Sequence, residues 1–424
     1  MGAGLLVAGL SAYGFIALSQ HVLGEHEKAP LGAQWGLVFL LGPGLFLPLE
    51  QEVSRALSER RALGVGGAPL VRRAATIGVG LGLGVLVLLI ATSRLMVDRL
   101  FDGQLLLLVG LALGLGGAFA GHLTRGCLSG TANFKAYGTY IGADGLIRFL
   151  GCAVVALIGV KTAGWFGIAV GIAGLLAVPV ALRVQRPRLE PGPEAAWQEI
   201  TRSLLYLLAG TLFAYTLMNI GPVAIKYLAT DAETKKAGYF FSAVVIARIP
   251  LFLFQAVQAS LLPKLTSLAS AGRLGDFRVG LRRLVIVVAG LAVAGTIGGY
   301  VLGPMVVEMM SEGVVQHRTM GLLAAGSGFY MLALALAQAV IALGGHRRQA
   351  VGWCAGVVAM FPTIWLISDD LYLRVELGLL VGSLVSFLVM GYLLMRRLIL
   401  SGRGEVAVEA GDFIEALHDV AIEP

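Results

Sequence analysis

Arg248 lies within a long apolar stretch, in the run Ala247-Arg248-Ile249-Pro250. A charge in such a place is costly, which makes it a functional candidate. Arginine keeps its charge at any working pH and can grip a phosphate or carboxylate with a planar fork. Pro250 removes a backbone donor and bends the helix beside it. A cation at a bend suits a diphosphate or an acidic sugar. The competing reading is an arginine satisfied by a backbone carbonyl or by Asp144. Gln255 and Gln258 follow at seven and ten residues, near the same helical face, where they can hydrogen-bond sugar hydroxyls. Asn219 precedes Gly221-Pro222, an expected break in its own stretch, and joins them as a candidate for substrate binding.

Asp144 and Arg148 are also inside an apolar stretch, four residues apart. That spacing lets them neutralise each other, or form a relay coupled to protons or Na⁺. Glu50, Gln51 and Glu52 close another stretch after Pro43 and Pro48. Glu50 and Glu52 can gate with Arg55 or hold a coupling cation; the plainer alternative is a helix-end ion pair with Arg55. Gln20, His21, Lys226 and Gln338 are weaker candidates.

These residues need helices to position them. The chain is 57% hydrophobic and 13% charged, with a mean hydropathy of +0.85. Soluble domains are about 25% charged. A bilayer-spanning helix takes about 20 apolar residues. Twelve stretches qualify, at about 2–21, 34–53, 74–96, 104–122, 139–160, 163–183, 203–227, 238–262, 284–305, 320–343, 350–368 and 376–396. The fold class expected is all-α, a polytopic membrane protein. There are 59 glycines in 424 residues, about twice the usual share, and small residues let helices approach closely in lipid. The first stretch lacks a preceding Lys or Arg and a clear cleavage site, and is expected to be a retained helix.

Lys and Arg crowd into alternate loops, 21 in the even loops and C-terminal end against 9 in the odd loops. Short basic loops stay in the cytoplasm, so both termini are expected there, in a cytoplasmic (inner) membrane. The net charge of +7 then reflects topology and contact with anionic membrane lipids. Dispersed basic residues without a recognition motif do not suggest nucleic acid.

A Pro-rich polar break at 184–199 separates six stretches from six, giving an N-terminal lobe at 1–183 and a C-terminal lobe at 200–400. An acidic cytoplasmic tail follows at 401–424. Both halves enter from the same side, so a repeat between them is parallel. The Leu-Phe-Leu triplets at 45–47 and 251–253 are followed in each half by an Arg pair, Arg72/Arg73 and Arg282/Arg283. The loops at about 54–72 and 263–282 are expected to carry short amphipathic surface helices.

The runs LFLPLEQEVSRAL, RGCLSGTANFKAYGTYIGADGLIRF and ARIPLFLFQAVQASLLPKL, in this two-times-six frame, resemble the multidrug/oligosaccharidyl-lipid/polysaccharide exporter superfamily. Within it they are most similar to actinobacterial polysaccharide-biosynthesis members, the lipid-linked oligosaccharide flippases. The resemblance covers about residues 1–400. It implies a fold like that of the multidrug and toxin extruders, with a central cavity lined mainly by helices one, two, seven and eight. It further implies alternating access that moves a polyprenyl-diphosphate-linked oligosaccharide outward. A drug or metabolite antiporter of the same superfamily and a non-transporting scaffold for glycan assembly are the alternatives.

No phosphate-binding loop, nucleophile triad or metal cluster is recognisable, and three scattered cysteines make neither a disulfide framework nor a zinc site. Enzymatic activity, catalytic residues, a bound metal and a cofactor are not expected; Na⁺ or H⁺ is the candidate coupling ion. The expected partners are a lipid-linked glycan, membrane lipids and glycan-assembly enzymes.

Overall fold

A computed structural model describes residues 2–251, 254, 267–269, 271–311 and 313–402, and among these no strand occurs. The first half contains α1 (Gly2–Val22), α2 (Glu25–Ala62), α3 (Ala68–Ala91), the short α4 (Ser93–Arg99), α5 (Leu105–Gly130), α6 (Phe134–Leu157) and α7 (Ala163–Val184). The second contains α8 (Gln198–Leu228), α9 (Thr234–Ile246), α10 (Leu274–Ser311), α11 (His317–Ala342), α12 (His346–Leu366) and α13 (Leu371–Gly402). Eleven of these are long and apolar enough to cross a membrane. The stretch expected at 238–262 includes the end of α9; Gln255 and Gln258 lie outside the described residues.

Buried side chains gather into two main cores. One draws on Phe15, Leu31, Trp35, Leu111 and Phe166 of the first half. The other draws on Phe240, Met320, Met331, Trp353 and Met390 of the second. Ala29 crosses into the second core, and Phe241 and Val245 into the first. Helices α2 and α8 form the seam between halves. Gly36 makes this approach possible: a Cβ there would lie 2.9 Å from the Asn219 carbonyl oxygen.

The prolines of α2 explain the polar bonds across that seam. In an α-helix the N–H of residue i bonds the carbonyl of residue i−4, and proline has no N–H. Pro43 therefore releases the carbonyl of Phe39, and Pro48 that of Gly44. Helix α8 supplies both replacements. Asn219 Nδ2 donates to Phe39 O at 3.1 Å, and Thr211 Oγ1 donates to Gly44 O at 2.8 Å. α2 thus runs continuously through Pro43 and Pro48, because a neighbouring helix satisfies the freed groups.

Helices α5 and α7 approach more closely still. A Cβ at Gly171 would lie 2.1 Å from Gly110 O, a backbone atom that cannot rotate away. Gly171→Ala is expected to force the helices apart and cost about 1–3 kcal/mol. A lowered unfolding midpoint of the detergent-solubilised protein is the measurement; an unchanged midpoint contradicts the close approach.

Three local expectations are corrected. The segment after Val53 is no separate surface helix, since α2 continues to Ala62. Helix α8 continues through Pro222 without the expected break. Helix α5 extends to Gly130, so Arg125, assigned from sequence to a loop, is a helical residue.

The non-helical segment after Val184 is tied to the first half. Arg60, 7% exposed, donates to the carbonyl oxygens of Gly66 (2.9 Å) and Pro193 (3.1 Å). The same side chain reaches both Glu199 carboxylate oxygens, at 2.9 and 3.1 Å. Arg73 stacks on Trp197, 4.9 Å from its ring centre.

Candidate functional site

Arg248 occupies the turn immediately after α9, which ends at Ile246. Its Nη1 donates to Asn219 Oδ1 at 3.2 Å. Asn219 is 3% exposed, and its amide nitrogen is spent on the Phe39 and Tyr215 carbonyls. Asn219 therefore links the proline-freed carbonyl of α2 to the Arg248 guanidinium. In this conformation it positions the arginine and has no spare donor for a cargo. Arg248 faces a cleft with Met218, Leu323, Ser327, Tyr330 and Ser383 among its lining residues. The residues that line this cleft belong to the second half. Tyr13 of α1 and Tyr330 of α11 are its electrostatic neighbours. Among the described residues no carboxylate lies within ion-pair distance of Arg248, so the pairing with Asp144 considered from sequence does not occur.

Asp144 instead pairs with Arg148 along α6. The Arg148 guanidinium also lies over the rings of Trp35 (5.5 Å) and Phe39 (5.0 Å). Phe39 thus links the two arginines: its ring faces Arg148, and its carbonyl accepts from the asparagine that holds Arg248.

Glu50 has partners that the sequence reading missed. It is 6% exposed and accepts from Arg125 Nη2 at 2.5 Å and from Tyr137 OH at 2.8 Å, and His122 Nδ1 lies 2.8 Å from the oxygen that Arg125 meets. The same His122 Nδ1 lies 2.7 Å from Arg125 Nη2, so it donates to Glu50 in one tautomer and accepts from Arg125 in the other. Arg125 also lies over the Tyr137 and Tyr140 rings, at 5.8 and 5.6 Å. The gate expected between Glu50 and Arg55 is corrected: Arg55 pairs with Glu52 at 2.9 Å and with Glu59 at 2.9 Å. It also donates to Glu199 O at 2.6 Å, joining α2 to the first turn of α8. His122 and Arg125 are three residues apart, so a longer fourth span was the available signal for them.

At the opposite end of the helices a second set of bonds joins the halves. Lys226 meets both Asp102 oxygens at 2.6 and 2.8 Å. Tyr239 OH donates to Glu25 at 2.6 Å, and Lys28 reaches Ser311 O at 3.5 Å. The seam is therefore bonded at both ends and in the middle. Among the described residues no cluster of three His, Cys, Asp or Glu side chains fits a metal ion.

No family model matches the chain. Uncharacterized protein Rv3630 of Mycobacterium tuberculosis is 27% identical over 405 residues, covering 91% of this chain and 89% of that one. Uncharacterized protein Mb3654 of Mycobacterium bovis matches to the same extent. Among solved structures, a multidrug resistance MATE family transporter of the MOP superfamily in its inward-facing conformation superposes with a TM-score of 0.72. The two are 11% identical, with 93% of this chain and 96% of that chain covered. An outward-facing MATE family transporter of that superfamily gives 0.66, at 14% identity and 94% coverage of both chains. Vibrio cholerae VcmN in the bent form gives 0.60, at 16% identity, with 93% and 95% covered. These neighbours are transporters and not enzymes. The chain is a multi-pass membrane protein with the fold of the MATE transporters of the MOP superfamily.

Proposed function

We propose that this protein is a flippase that exports a polyprenyl-diphosphate-linked oligosaccharide or polysaccharide precursor by alternating access. It works in the cytoplasmic membrane, with both termini inside, and couples transport to H⁺ or Na⁺. The observation that carries this reading is Arg248. It is a partly buried cation facing a cleft, fixed by a neutral amide and left without a neighbouring carboxylate among the described residues. Such a group attracts an anion, and a diphosphate matches the geometry of its fork.

The drug-antiporter alternative draws on the names of the structural neighbours. A cationic drug favours an unpaired acid. Glu50 is engaged by Arg125, His122 and Tyr137, and Asp144 by Arg148, which supports an anionic cargo instead. In the proposed cycle the Lys226–Asp102 and Tyr239–Glu25 bonds break as the outer side opens, and the Arg55 and Arg60 contacts to Glu199 break as the inner side opens.

The test is reconstitution of the full chain into vesicles holding a fluorescent polyprenyl-diphosphate sugar. Protein-dependent loss of protected fluorophore to an impermeant quencher is expected. A preparation that moves cationic dyes and leaves every lipid-linked sugar in place overturns the proposal in favour of the antiporter.

A further inference from the structure

Glu376 is fully buried, five residues beyond the start of α13. Neither carboxylate oxygen has a hydrogen-bond partner. Thr319, at the start of α11 and also fully buried, lies within hydrogen-bonding reach of it, but its hydroxyl is not aligned to form a good bond. The nearest cation is Arg318, whose Nε is 3.8 Å from Glu376 Oε2. That guanidinium is 45% exposed and is shared with Asp370 at 3.4 Å. The other charged or titratable neighbours are Asp370, Tyr372 and, beside Tyr372, Tyr239 of α9; Arg374 lies on α13 itself.

An ionised carboxylate in this position would be stripped of water and have one half-exposed counter-charge that it shares with Asp370, which is expensive. Protonation removes the cost and makes a hydroxyl that can bond Thr319. A metal cation is a poorer occupant. Hard cations collect several oxygen ligands, whereas this site offers one carboxylate and one hydroxyl beside a guanidinium.

The site is connected to the Arg248 cleft. Glu376, Leu379 and Ser383 recur on one face of α13, and Leu379 and Ser383 line that cleft. Thr319, Leu323, Gly326 and Tyr330 recur on one face of α11, and the last three line the same cleft. The stripe that begins at the buried acid therefore ends at the cation, about 10 Å along α13 at 1.5 Å per residue.

Resting on the transport reading above, we infer that Glu376 is a proton-binding site of the C-terminal half. Its carboxylate takes up one proton to become a neutral acid, and the facing stripes of α11 and α13 convey that change to the Arg248 cleft. Loss of the proton leaves a buried anion that draws Arg318 inward, so the two states favour different packings of α11 against α13.

The experiment uses the full chain in lipid nanodiscs and follows carboxyl bands by infrared spectroscopy during a pH titration. A protonated-acid carbonyl band is expected at neutral pH in the parent. It should be lost in Glu376→Gln and shifted in Glu376→Asp, which decides the matter if the Gln variant does not fold. Identical bands in parent and variants overturn the inference, as does removal of the parent band by added Na⁺ at fixed pH. In vesicles, Glu376→Gln should lose the component of flux driven by a proton gradient while keeping exchange without a gradient; unchanged gradient-driven flux overturns coupling through Glu376. If the parent moves no lipid-linked sugar, the transport reading fails, and the infrared result still decides whether Glu376 carries the proton.

Discussion

Arg125→Ala is expected to destabilise the protein by about 3–5 kcal/mol, the usual cost of removing one partner from a buried ion pair. Arg125 holds Glu50 at 2.5 Å, and the carboxylate it would abandon is 6% exposed. Tyr137 still donates to that carboxylate, and His122 can donate in one tautomer, but a neutral donor compensates a charge only in part. Glu50→Gln combined with Arg125→Met should recover most of the loss, because replacing both partners removes the uncompensated charge. Unfolding midpoints of the detergent-solubilised parent, Arg125→Ala and the double variant are the measurement. A single variant as stable as the parent, or a double variant no better than Arg125→Ala, contradicts the assignment of the cluster as a paired core.

The same cluster shows where sequence reasoning stops. The membrane class followed from hydropathy, since few arrangements other than spanning helices satisfy every backbone group in lipid. The Asp144–Arg148 pair followed from spacing, because residues four apart on a helix are neighbours wherever the helix goes. Glu50 was visible as an acid at the end of a span, but its partner was not. Arg55 was close in sequence, whereas Arg125 is 75 residues away and reaches Glu50 only because α5 packs on α2. Its apparent place in a loop came from ending the fourth stretch at 122, although the next stop signal is the turn at Thr131–Asn133, where Ala132 has a positive φ. Pro43 and Pro48 did announce two orphan carbonyls. That Asn219 and Thr211 would answer them depends on the register of α2 against α8, which one chain read alone does not reveal. Glu376 escaped notice because it stands near the start of a span, where a charge is cheap if it faces water; only packing shows that it does not.

Arg248→Ala is expected to lower transport of the lipid-linked sugar by roughly 10- to 150-fold, corresponding to the loss of about 1.5–3 kcal/mol from a hydrogen bond to a charged group. The fold should survive, because the bond from Asn219 Nδ2 to Phe39 O does not involve the guanidinium. Arg248→Lys keeps the charge but loses the planar fork, so an intermediate rate is expected if a diphosphate is gripped at two points. A lysine variant as poor as alanine would mean that geometry governs recognition, and one as good as the parent that a point charge suffices. Both outcomes still require an anionic cargo, which the alanine variant tests directly. Full transport by Arg248→Ala at normal abundance would remove Arg248 from the binding site, and with it the main physical argument for an anion over a cationic drug. Asn219→Ala provides the internal comparison. It frees the guanidinium from its 3.2 Å bond and also leaves the Phe39 carbonyl without its donor. It should therefore lower stability as well as transport, whereas Arg248→Ala should lower transport alone.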